Sequence, residues 1–293
     1  MSDDQPAVKD NQGASRIAPS LENMNEWPWW LIIAVFLGLL ITFLIINNED
    51  WSKAFLFVIK GLRVTLTIAI VGYLIAIFVG LFIGLGRVSG TSSLLGVIYY
   101  NFATFYVEIV RGIPMLVIIM YVAFVGVPLV AQGINFIGEW LLSIGITGIG
   151  TGLAEVTVRN FSNSARVTLA LGMAYGAFEA EVFRAGIESI EKGQMEAARS
   201  LGMSYGQSMR YIILPQAVRR VLPALGNDFV AIVKDSSLAS ILGVQDLTQM
   251  TRLRVAGTFL AFQTWSILAF IYLLITVSLT RIVRYIERRY KAA

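Results

Sequence analysis

The sequence predicts an all-α integral membrane protein with about six transmembrane helices. Three observations carry that expectation. Hydrophobic residues make up 56% of the 293 and charged residues 14%, whereas soluble domains run near 45–50% and about 25%. The mean hydropathy is +0.70, and the stretches 64–86 and 255–280 contain no charge over lengths that cross about 30 Å of hydrocarbon. Barrel strands would alternate apolar and polar over about 10 residues; no such alternation occurs.

Composition also removes whole classes of chemistry. The chain has no Cys and no His, so it offers no disulfide, thiolate nucleophile, imidazole base or Cys/His-ligated metal. It contains no G-x-x-x-x-G-K-[ST] and so carries no P-loop.

Along the chain, residues 1–26 are polar and acidic and read as a disordered tail. The first span, 27–46, opens on Trp27-Pro28-Trp29-Trp30, an interfacial aromatic anchor. The second runs Val64 to Gly86. The third, about 97–125, carries Glu108, Arg111 and Pro114. A glycine-rich segment, 126–162, follows as a loop with a short interfacial helix around Phe136–Ile144. The fourth span is about 164–185. The polar segment 187–219 leads to a fifth, about 219–242, interrupted by Pro223, Asp228 and Lys234. The sixth is Val255 to Thr280, and residues 286–293 form a basic tail.

Lys and Arg accumulate on one side: in the 184–220 loop, at Arg87, and at Arg281, Arg284, Arg288, Arg289 and Lys291. The positive-inside rule therefore puts both termini in the cytoplasm and 126–162 outside. The basic C-terminus suits an anionic inner leaflet. This topology accounts for the charge, so no nucleic-acid partner is expected.

The 187–219 segment reads as helix–turn–helix. Met195, Ala198 and Leu201 recur as a short apolar stripe. Gly202 sits where a left-handed residue would end that helix. Ser204 and Gln207 form a capping-box pattern opening the next helix, and Pro215 is expected to stop it. Ala197, Ala198 and Gly202 present little bulk, so another protein's backbone can approach.

The spacing of Glu196-Ala197-Ala198, Gly202, Ile212 and Leu214-Pro215 resembles the permease subunits of ABC importers of the type I class. Arg111-Gly112-Ile113-Pro114, Tyr175-Gly176-Ala177-Phe178 with Glu181-Val182-Phe183-Arg184, Leu222-Pro223-Ala224-Leu225-Gly226-Asn227 and Lys234-Asp235-Ser236-Ser237-Leu238 look like the polar amino-acid branch. The resemblance covers about 60–285 and leaves the first span and the glycine-rich segment outside its core. It implies a transmembrane domain whose loop helix seats in a separate ATPase subunit. That ATPase would bind ATP and Mg. Further implied partners are a second permease, the same chain or a similar one, and an extracytoplasmic amino-acid-binding protein. The other reading is a stand-alone secondary transporter or channel for small polar solutes.

Charges inside spans cost roughly 2.5–3.5 kcal/mol each on insertion scales. Spans two and six avoid that cost and are expected at the lipid-facing periphery; spans three, four and five should line the interior. Arg111 is either a clamp for a carboxylate or an ion-pair partner of Glu108 or Glu179. Glu179 and Glu181 are expected near the cytoplasmic interface. Asn227 and Asp228 are placed at a helix start after Pro223. Lys234 and Asp235 point roughly 100° apart and should bond to neighbouring helices. Ser236, with Ser237 and Ser240, offers hydroxyls to a path. The pairs Gly80/Gly84 and Gly172/Gly176 allow close helix approach.

Overall fold

The computed structural model describes residues 29–88 and 93–291. The acidic tail 1–26, Trp27, Pro28 and the last two residues of the basic tail lie outside them. Every regular element among the described residues is helical.

Helix α1 is Trp29–Asn47. Asn48 caps α2 (Glu49–Val58), accepting from Asp50 N–H at 3.0 Å. A 3-10 turn, Ile59–Gly61, joins α2 to α3 (Leu62–Val88). Then come α4 (Leu94–Gly112), α5 (Met115–Tyr121), a π-helical turn Val122–Gly126, α6 (Val127–Ser143), α7 (Thr147–Ala154) and α8 (Asn163–Glu188). The remainder is α9 (Lys192–Ser200), α10 (Tyr205–Ser208), a second π-helical turn Met209–Ile213, α11 (Leu214–Asp235), a 3-10 run Ser236–Leu242, α12 (Leu247–Thr258) and α13 (Ala261–Lys291). Three continuous helices, Glu49–Val88, Met115–Ser143 and Ala261–Arg289, are long and apolar enough to cross a membrane.

The parallel pair α3/α8 is the hub. Gly72 faces Thr168 and Leu171, Gly80 faces Glu179, and Gly84 faces Ala180 and Phe183. The two numberings rise together, so both helices run the same way. From the other side, Gly172 meets Ile75 and Gly176 meets Val79. These glycines let backbones touch, which is how helices gain over lipid when the apolar drive is absent. The charge-free second span is therefore central, against the peripheral placement expected for it. Its small-residue face is buried, and Ile70, Leu74, Phe78 and Phe82 point outward. Around the hub pack Ile68, Tyr73, Ile119, Val167, Leu171 and Ile232. Helix α13 does fit the periphery: Ile267, Leu268 and Ile271 bury against Trp51 and Val58, while Leu273, Leu274 and Val277 face out.

Four boundaries differ from expectation. The third span breaks at Ile113-Pro114, because the residue before a proline leaves the helical region; Ile113 has φ −105° and ψ 137°. Pro223 does not interrupt the fifth, since α11 runs through it. The buried residues Ala217, Val221, Ile232 and Val233 on both sides offset a penalty of about 3 kcal/mol. The sixth begins at Ala261, because Phe259 at φ 57° ends α12. The glycine-rich segment is a helical hairpin rather than a loop with one short helix. Gly138 lies against Ala154 and Gly150 against Leu142, and the turn is Gly145 at φ 86°.

Asp246 caps α12 by accepting from Gln249 N–H at 2.9 Å. It lies between spans, and burial pushes its carboxyl up to about 6. A folded pKa above the unfolded value of about 3.9 means stability falls as pH rises between the two. Asp246→Asn keeps a cap acceptor without the charge, so its melting temperature should not show that fall. Thermal denaturation of both proteins across pH 4–7 checks it.

Candidate functional site

Two regions hold the residues singled out by sequence. The first is the projection at the 188/214 end of the bundle. Here α8 ends at Glu188 and α9 begins at Lys192. Met195 and Ile212 pack against Ile187, Ile190, Ile213 and Ala217. Ala198 is 4% exposed, while Glu196 and Ala197 face outward. Leu201 departs from the expected buried stripe, being 83% exposed. The turn is a Schellman motif: Gly202 N–H donates to Arg199 O at 3.0 Å and Met203 N–H to Ala198 O at 3.2 Å. Gly202 has φ 85° and nothing within 4 Å of a Cβ placed there. Both halves of the capping box form: Gln207 N–H to Ser204 Oγ at 3.3 Å, and Ser204 N–H to Gln207 Oε1 at 2.9 Å.

Pro215 does not end the helix it was expected to stop. It occupies the second position of α11, just after Leu214. A proline inside a helix clashes with the carbonyl four residues back, and the widened π-helical turn 209–213 sits at that place. Chain therefore passes from α10 into α11 with no loop between. Gln216 ties the parts together, donating to Ile212 O at 2.9 Å and lying 3.4 Å from Gln194 of α9.

The second region is polar and lies among α3, α8 and α11. Glu179 is fully buried against Gly80, not interfacial as expected, and neither carboxylate oxygen has a hydrogen-bond partner among the described residues. Asp228 and Glu179 both lie within electrostatic range of Tyr73 and Tyr175. Tyr73 donates to Leu225 O at 2.5 Å. Asp235 accepts from Tyr175 at 2.8 Å, the interhelical bond expected of it, while Lys234 is exposed. Asn227 and Asp228 are mid-helix rather than at a helix start, because α11 is continuous past Pro223. Ser236 is buried and donates to Val233 O at 2.7 Å, and Ser240 donates to Ser237 O at 2.8 Å. Their hydroxyls serve the helix's own backbone.

Arg111 forms neither expected ion pair. Its guanidinium stands 5.7 Å over the ring of Phe178 on α8. Glu108 instead approaches Arg87 at 3.9 Å. Arg87 also bonds Glu181 at 2.6 Å, and Glu181 and Glu188 both pair with Arg184. This network closes the 88/188 end.

Sequence reasoning gives no role to Tyr73 or Arg166, takes Tyr175 only as part of the resemblance and reads Arg87 only as a cytoplasmic charge. The Arg166 guanidinium donates to Val158 O at 2.7 Å, Phe161 O at 3.0 Å and Ala123 O at 3.4 Å, gathering three chain ends. The tyrosines could have been found as hydroxyls inside long apolar runs, which need partners there.

Residues 83–292 match the family model described as binding-protein-dependent transport system inner membrane component. The chain belongs to that family. It is a permease component, whose family works with a separate ATPase and a binding protein. The permease is 34% identical over 245 residues to the glutamine transport system permease protein GlnP of Escherichia coli (strain K12), covering 83% of this chain and 98% of that one. It is 30% identical to the histidine/lysine/arginine/ornithine permease HisQ of the same organism, covering 80% and 92%. Among solved structures, an amino acid ABC transporter crystallised with histidines matches at TM-score 0.65 and 32% identity, covering 81% of this chain and 96% of that one. An inward-facing MetNI methionine transporter, at TM-score 0.57 and 18% identity, shares the fold.

One consequence of the permease's polar region is testable. Tyr175→Phe removes the bond to Asp235 but keeps the ring. Loss of one charge-assisted hydrogen bond, about 1.5–3 kcal/mol, should lower the melting temperature in detergent. Tyr106→Phe breaks a bond to a neutral carbonyl, Met173 O, and should cost less.

Proposed function

We propose that this chain forms half of a gated pore whose power stroke enters through residues 196–215. The chain is the permease subunit of an ABC amino-acid importer in a bacterial inner membrane. The observation carrying the proposal is the projecting turn. Exposed Leu201 and Tyr205 flank the bare Gly202 backbone, and the helices on either side are capped. Such a preformed element costs little ordering when it seats in a groove.

Its connections explain transmission. Helix α9 leads from α8 after three residues, and α10 is continuous with α11. A push on the projection therefore reaches the two helices that carry Glu179, Asp228 and Asp235. In this reading those carboxylates, with Tyr73 and Tyr175, border the route of a polar amino acid. Both termini and the projection face the cytoplasm, and the α6–α7 hairpin is on the other side. ATP and Mg are held by the ATPase. A second permease, identical or similar, completes the pore, and a binding protein delivers the amino acid; glutamine, histidine and arginine are the leading candidates from the relatives' names.

The test is reconstitution in vesicles with the ATPase and binding protein. ATP hydrolysis should rise with one or more of these amino acids, and a cysteine placed at Leu201 should cross-link to the ATPase. Uptake independent of ATP would instead make the chain a stand-alone transporter.

A further inference from the structure

The hairpin 127–154 has an outward face with no partner among the described residues. Phe136, Ile137, Trp140, Ile144, Ile146 and Ile149 are all exposed, Phe136 at 71%. We infer that this face is bedded in lipid acyl chains, in the leaflet at the 62/163 end of the bundle, and is not a docking platform for a water-soluble protein.

Three observations support that occupant. The first is charge: between Arg111 and Glu155 the sole charged residue is Glu139. Other exposed polar residues beside it, Gln132, Ser143 and Thr147, are uncharged. The second is continuity. Met115–Ser143 is one apolar helix of membrane-crossing length, and its outward residues Val117, Tyr121, Phe124 and Leu129 lead into the hairpin face past a single exposed amide, Gln132.

The third is internal hydrogen bonding. In hydrocarbon every polar group needs a partner within the protein. The turn provides this: Gly145 N–H donates to Leu142 O at 3.1 Å and Ile146 N–H to Leu141 O at 3.0 Å. Three side chains donate within the hairpin as well. Ser143 donates to Trp140 O at 2.6 Å, Thr151 to Thr147 O at 2.9 Å, and Asn135 to Ala154 O at 3.1 Å. Glu139 beside Trp140 then marks the headgroup level, where an indole and a carboxylate both find water.

The absence of native cysteine makes the test clean. Ile137→Cys and Ile149→Cys, each in the full chain assembled with its ATPase in lipid nanodiscs, would carry an environment-sensitive fluorophore. Phe78→Cys on the outward face of α3 serves as the lipid reference and Glu191→Cys as the aqueous one. The expected result is blue-shifted emission, loss of most of it in brominated phospholipid as at position 78, and resistance to iodide. Iodide quenching as at position 191 would overturn the inference. So would protection that appears only when the binding protein is added, the mark of a docking platform. Labels inaccessible to both quenchers would mean contact with a second copy, and would equally overturn it.

Discussion

Gly202→Val should abolish transport while leaving the permease in the membrane at normal level. Residue 202 stands at φ 85° in the Schellman turn between α9 and α10. An L residue pays roughly 1–2 kcal/mol there, and a β-branched one more. A side chain would meet nothing within 4 Å, so no steric clash contributes and the rest of the fold is untouched. The strain is relieved by unwinding the turn, which misplaces Leu201 and Tyr205 together. Misplacement of a seated helix should reduce amino-acid-stimulated ATP hydrolysis by about 10-fold or more, since about 1.4 kcal/mol is one decade. Gly202→Asn should retain more activity than Gly202→Ala, because asparagine visits the left-handed region more readily. Vesicle uptake and ATP hydrolysis, read beside the amount of inserted protein, check the series. Full activity of Gly202→Val would remove the projection from the coupling route.

Gly80→Val acts on the fold itself. A Cβ there would sit 2.4 Å from Glu179 Cβ and 3.0 Å from Ala180 N. Neither neighbour is the far end of a flexible chain, so α3 and α8 must separate. The same pair carries the contacts at Gly72, Gly84, Gly172 and Gly176, which would be lost together. Overpacking of this kind costs about 3 kcal/mol, and in a marginally stable protein that is a large share of the total. The expected outcome is aggregation in detergent or a sharply lowered melting temperature, with Gly80→Ala already affected. Gly133→Ala, at an open position in α6, is the control and should be neutral or slightly stabilising. Equal melting of Gly80→Val and the parent would show that the α3/α8 contact is not the hub.

These two glycines differ in how they could be recognised. Gly202 was legible because Ser204, Gln207 and the preceding apolar positions are local signals that all imply a turn at one residue. Gly80 was legible only as half of a small-residue pair. Nothing near it in sequence says that its partner is Glu179, nearly a hundred residues on. The same limit explains the errors at charged positions. Hydropathy prices Arg111, Glu108 and Glu179 alike, yet in the fold Arg111 lies over Phe178 while Glu179 is sealed behind Gly80. Pro215 and Pro223 were both read as stops, and both lie inside α11. In an isolated helix the lost N–H and the ring clash dominate; here a π-helical turn and buried flanking residues absorb them.

Composition and hydropathy alone determined the solvent of this chain and its helical class, and the spacing at residues 196–215 carried the resemblance that implies an outside motor. Those properties follow from sums over many residues or from contacts a few positions apart, and neither depends on how distant segments meet. Which helix is central, which carboxylate is buried and which arginine is paired were settled by the tertiary structure. These depend on pairwise distances between remote segments, where one missing Cβ changes an approach by more than an ångström and so decides which side chains can touch.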